Sequence, residues 1–226
     1  MLKRILRVAG IAVAAVASLA LFAPAAQAQT EQQKLIADAE KVLSNFLRDP
    51  DMTWLQQNIG RAKAVMIAPE IAKAGFIIGG SGGRAVLVAN NGGKWVGPAF
   101  YALATASIGF QAGISVSEAV TLVMTDKGMN SLLASTMKIG GDASVAAGPV
   151  GAGAKSDVVA DLVTFSRAKG VYGGLNLDGT VVHVSEDFNT AFYGKKVLPP
   201  DILIKGAVQN KGADALLNAV SKATKK

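Results

Sequence analysis

Cysteine is absent from the 226-residue chain, and histidine occurs once, at His183. The first absence excludes disulfides, a thiol nucleophile and a lipid-modified N-terminal cysteine, so the fold rests on its core alone. The two scarcities together leave only carboxylates as metal ligands, and none of these cluster at a ligand spacing. No motif calls for a cofactor. Aromatic residues make up only 6% of the chain, too few for a surface built on aromatic anchors or base stacking. Positive charge is less abundant than the net +7 suggests. Lys3, Arg4 and Arg7 lie in the first 28 residues, and seven lysines crowd the last 32 against Asp201 and Asp214. The body between them is close to neutral. A nucleic-acid binder carries a basic stripe across its folded face, and this distribution argues against one.

The chain opens with a basic start, the apolar run "VAGIAVAAVASLALF", Pro24 and the small-x-small site Ala26-Gln27-Ala28. This is the pattern of a secretory signal peptide, with cleavage expected after Ala28 and a periplasmic or secreted mature chain. Residues 29–194 then form one domain of comfortable size, and residues 195–226 a basic C-terminal extension with a short helix.

Leu35, Ala39, Val42, Leu43, Phe46 and Leu47 recur at helical spacing in "TEQQKLIADAEKVLSNFL", which predicts an amphipathic N-terminal helix ended by Asp49-Pro50. A shorter helix is expected over Trp54–Lys63, another over Asp126–Ala134, one or two turns in "EDFNTAFYG", and a last one over Ala213–Ala223. Between them lie short apolar or alternating runs divided by "APEIAKA", "GGSGG" and "NNGG", which read as turns. The glycine content and spacing predict an α+β fold: a strongly bent antiparallel sheet, barrel- or sandwich-like, with flanking helices.

The stretch "GFIIGGSGGRAVLV" matches two motifs on paper. Gly79–Gly83 fits a nucleophile elbow around Ser81, and Gly80–Ala85 a relaxed dinucleotide loop. Both need a helix immediately afterwards, and here a second β run follows. A triad of Ser81, His183 and an aspartate is not forbidden by sequence, but nothing supports it. The remaining reading is a hairpin loop of residues with positive φ, whose backbone N–H groups could face an anion.

"RAKAVMIAPEIAKAGFIIGGSGGRAVLV" also resembles the signature of the SYLF family of lipid-binding domains. The likeness continues in order through "PAFYALATASIGFQAG", "GGDASVAAGPVG" and "FSRAKGVYGGLNLDGTVV", covering most of Leu35–Gly194. Each motif is weak alone, and four in order are specific. The resemblance implies binding rather than catalysis. Eukaryotic members bind phosphoinositides and in some cases actin filaments, and bacterial members are typically exported and lipid-binding. Actin binding is not expected of an exported chain. The family's N-terminal amphipathic helix, implicated in membrane contact, corresponds to Glu31–Leu47.

Three functions follow: an anionic-lipid or membrane-surface binder, an envelope scaffold docking a protein partner, or a carrier enclosing an apolar ligand in a barrel cavity. For the first, the candidate lipid-binding residues are Lys73, Arg84 and Lys94, with Gly80, Ser81, Gly82 and Gly83 as the loop they flank. The paired triplets Arg61/Lys63 and Arg167/Lys169 could add a second basic face.

Overall fold

Four strands carry most of the chain's backbone pairing: β1 (Ala64–Gly75), β2 (Ile78–Asn91), β3 (Lys94–Ile108) and β4 (Gly113–Val123). The computed structural model describes residues 30–75, 78–108, 113–151, 153, 158–168, 171–172 and 177–225. The signal peptide expected over residues 1–28 and Lys169 lie outside them. The sheet is completed by β5 (Thr136–Lys138), β6 (Val145–Ala147), β7 (Leu162–Ala168), β8 (Val171–Tyr172) and β9 (Val181–Val184). Its order is β5-β9-β3-β2-β1-β4-β7-β6, with β8 on β7, and it curls into a half-barrel. Every pairing is antiparallel except β6 with β7. The helices are α1 (Glu31–Arg48), α2 (Thr53–Asn58), α3 (Asp126–Leu133), α4 (Glu186–Tyr193), α5 (Pro199–Leu203) and α6 (Asp214–Ala223).

Strand parity sorts the core into two layers. Val65, Ile67, Val86, Val88, Phe100, Val120 and Leu122 point to one face, under α1, α2, α4 and α6. Met66, Ala68, Ala85, Leu87, Tyr101 and Ala119 point to the other, against α3, α5 and β9. Helix α1 buries Ala39, Val42, Leu43 and Phe46 of the predicted stripe, with Ile36 buried beside them and Leu35 and Leu47 half-buried at its margins. The C-terminal segment is part of the same body. Leu216 and Val220 of α6 are fully buried beside α1, Ile202 and Leu203 of α5 are fully buried in the second layer, and Trp95 Nε1 donates to Thr224 Oγ1 at 3.3 Å. Residues 31–226 form one compact unit that holds both core layers, so it has what it needs to fold on its own.

Two expected turns are strand instead. "APEIAKA" runs through β1, with a register shift between Ile67 and Glu70. "GGSGG" lies inside β2, paired on both sides: Gly83 with Ile71 and Leu103, Gly80 with Ala74 and Ala106. Gly79–Gly83 have no positive φ, and their amides are committed to the sheet, so the segment is no anion-binding loop. The reason is a close approach at the bulge. A Cβ on Gly83 would sit 2.3 Å from the carbonyl oxygen of Glu70. Composition does not separate a turn glycine from one that lets backbones touch. "NNGG" is a turn as expected, with Gly92 and Gly93 at φ 62° and 91°.

Candidate functional site

The outer end of the sheet, where β1–β4 run on past the helices, is the part of the fold that the glycine stretch shapes. A polar row marks its inner border on the α1 face. Arg167 pairs across from Glu118, and beyond the β1 bulge Glu70 pairs with Arg84, Arg84 with Ala102, and Ala102 with His183. Helix α1 crosses the strands along this row. At one end Arg84 Nη1 lies 3.8 Å from Glu31 Oε2, with its guanidinium 4.1 Å from the Phe188 ring centre. At the other, Arg167 is clamped by Glu118, approaches Asp49 at 4.0 Å and lies 5.3 Å from the Phe46 ring centre. Beneath the α1 N-terminus a groove opens between Lys34, Leu35, Pro69, Gly82, Arg84 and Phe188. Glu31, Asp38 and Glu70 also line it, so its three acids outnumber Lys34 and Arg84.

Beyond the polar row, the α1 face has two further rows. One is Val116–Ala72–Gly82–Ala104, which continues to Val181 on β9, and the other is Ile114–Ala74–Gly80–Ala106. All are exposed, none carries a charge, and Ile114 is 78% exposed. On the opposite face the corresponding row is polar: Ser115–Lys73–Ser81–Thr105, all half-buried.

The candidate cations therefore do not converge. Arg84 faces α1 and is already engaged by Glu31 and Phe188, whereas Lys73 points to the other face with no ion pair to a described residue. Lys94 sits at the β2–β3 turn opposite Asn91, about 33 Å along β2 from Ser81 at 3.3 Å per residue. Of the basic triplets, Lys63 and Arg167 do not come together either. Lys63 pairs with Asp126 at 2.8 Å beside the Val123 end of β4, and Arg167 lies at the Glu118 end. What the sequence did not bring together is Arg48 with Lys222, which line one groove between α1 and α6 alongside Glu40. Periodicity finds each helix, but nothing in the sequence signals that the two are neighbours.

The serine–histidine arrangement fails on parity. Ser81 and Arg84 are three residues apart on one strand and so face opposite sides, and His183 shares Arg84's row. The His183 ring meets Thr136 Oγ1 at 2.7 Å instead. Among the described residues no group of three metal-ligating side chains occurs. A small apolar pocket lined by Met66, Ile71, Leu103 and Leu132 measures about 20 Å³, room for one water and far too small for an acyl chain.

The sequence matches known proteins over most of the described residues. A family profile described as "Las17-binding protein actin regulator" (Ysc84) matches residues 104–223, more than half of the chain. The chain belongs to the SYLF (Ysc84) family. It is 32% identical over 169 residues to "LAS seventeen-binding protein 3" of Saccharomyces cerevisiae, covering 69% of this chain and 37% of that protein. It is 30% identical to "Protein YSC84" of the same yeast, over 79% of this chain and 41% of that one. It is 28% identical to the human "SH3 domain-containing YSC84-like protein 1", over 83% and 58%. The chain thus spans between 37% and 58% of the length of these SYLF relatives. The family match runs to residue 223 and takes in the C-terminal segment that packs against α1.

Proposed function

We propose that this SYLF chain is a non-catalytic lipid-binding protein of the bacterial cell envelope, exported by the leader at residues 1–28, that binds anionic phospholipid at a membrane surface. The observation that carries this reading is the bare, uncharged end of the sheet on the α1 face, bordered by charged residues. A contiguous exposed apolar face with a polar rim is the signature of an interaction surface. Lys73, at the same end of the sheet and without an ion pair to a described residue, supplies positive charge for headgroups. The Las17 binding in the name of the yeast "LAS seventeen-binding protein 3" belongs to that protein, and an exported chain would not meet a cytoskeletal partner.

Co-sedimentation of residues 29–226 with neutral and anionic vesicles tests the reading. The expected result is binding to both, several-fold stronger to anionic vesicles, with Lys73→Glu removing part of the difference. Absence of binding to either vesicle would overturn it and shift the weight to a protein partner.

A further inference from the structure

Membrane contact through α1, the mode the family resemblance implies, meets an obstacle. The apolar stripe of α1 is already buried, with Ala39, Leu43 and Phe46 fully so. Arg84 and Arg167 tie its two ends to the sheet. Its exposed positions carry Lys34, Lys41 and Arg48 against Glu31 and Asp38, a net of only +1, unlike the strongly basic polar face of an interfacial helix. The apolar surface that is available lies on the strands.

Resting on the lipid reading above, we propose that the outer end of β1–β4 is the membrane-inserting element, entering the acyl boundary of one leaflet by its α1-side face while α1 stays docked. Four observations carry it. The end is amphipathic by strand parity: Ile114, Val116, Ala72, Ala74, Gly80, Gly82, Ala104 and Ala106 on one face, Ser115, Lys73, Ser81 and Thr105 on the other. That is the alternation with which membrane strands separate lipid from water. The backbone is prepared for it, because β1 and β2 are hydrogen-bonded on both sides and bring no unpaired amides to the lipid. Depth is limited by the flanking strands. Among the described residues β9 pairs β3 only over Tyr101–Ala104, and β7 pairs β4 only from Ser117 onward, so the outer edges of both need water and hold the end at the interface. Size excludes a second copy of the chain. Four strands by two rows cover roughly 300 Å², against about 800 Å² per partner in a stable dimer, whereas a lipid surface sets no such minimum. Lys73, on the polar face of the same end, is placed to reach phosphate as the opposite face enters.

The absence of cysteine makes the test direct, since single-cysteine variants label uniquely. Ala74→Cys, Ala106→Cys and, on the exposed side of α1, Ala37→Cys are prepared in residues 29–226 and given an environment-sensitive fluorophore. Each is mixed with phosphatidylcholine vesicles, with and without phosphatidylglycerol, that carry quenchers on the acyl chains. The labels at 74 and 106 should shift to shorter wavelength and be quenched at least twofold, while the label at 37 stays aqueous. Sedimentation with vesicles while the labels at 74 and 106 stay aqueous, or quenching at 37, overturns this proposal and leaves the lipid reading standing. Failure to sediment overturns both. As a second arm, Ala74→Asp should lower binding to neutral vesicles about tenfold at an unchanged melting temperature. Undiminished binding would count against insertion by this face.

Discussion

At the residue scale, neighbouring glycines of one motif do different work. Gly83 faces the Glu70 carbonyl at the bulge, whereas a Cβ on Gly82 would rest 3.6 Å from the Leu103 carbonyl, an ordinary contact. Gly83→Ala should therefore lower the unfolding free energy by about 1–3 kcal/mol, and Gly82→Ala should change it by less than about 0.5 kcal/mol, read from urea denaturation. Equal effects would remove the close-approach explanation. Asp161 is the other decisive residue. Its carboxylate accepts from Thr125 Oγ1, Ser144 N and Ser144 Oγ, with Lys127 at 3.7 Å, and so joins the start of α3 to β7. The Thr125 hydrogen bond first, then the Ser144 amide, hold its pKa down at about 2. A carboxylate lowered in the folded state contributes its full stability above the unfolded value near 4 and loses it as pH falls toward 2. Denaturation midpoints should fall between pH 4 and pH 2, and Asp161→Asn should lower the midpoint at pH 7 and flatten that slope. An unchanged slope would show that other carboxylates govern acid unfolding.

At the element scale, helices were legible because each carries its own period. Leu35 through Leu47 predicted α1 and its buried stripe, and Leu216, Leu217 and Val220 predicted α6. Strands were less legible. The short runs Val65–Ile67 and Arg84–Ala89 are parts of strands of 12 and 14 residues, because the glycines and alanines between them carry no hydrophobic pattern to follow. Lysine content marked residues 195–226 as a basic extension with a short helix, and the structure shows that Leu216 and Val220 of that helix complete the core beneath α1. Deleting Asp214–Lys226 should remove about 3–6 kcal/mol of burial, much of the stability of a domain this size. The expected outcome is a lost or strongly lowered cooperative thermal transition; an unchanged one would mark α6 as dispensable.

At the scale of the whole molecule, charge and apolar surface are separated along the sheet, and membrane binding should show both contributions. Raising salt from about 0.1 M to 0.5 M shortens the screening length from about 10 Å to about 4 Å, which weakens headgroup attraction and leaves apolar transfer intact. Binding to anionic vesicles should accordingly weaken several-fold without vanishing, approaching the neutral-vesicle value. Complete loss at high salt would indicate attachment by headgroup charge alone.

Read alone, the sequence determined the α+β class, the family and the helical faces, because these depend on local period and on ordered motifs. It also showed that cysteine chemistry has no part here. Only the tertiary structure decided that Gly80–Gly83 is paired strand, that Lys73 and Arg84 face opposite sides with Lys94 at the far turn, and that Ser81 and His183 lie on opposite faces. The physical reason is register. One bulge at Glu70 and the parity of each strand set which side chains share a face, and register is a relation between distant segments that no single stretch encodes.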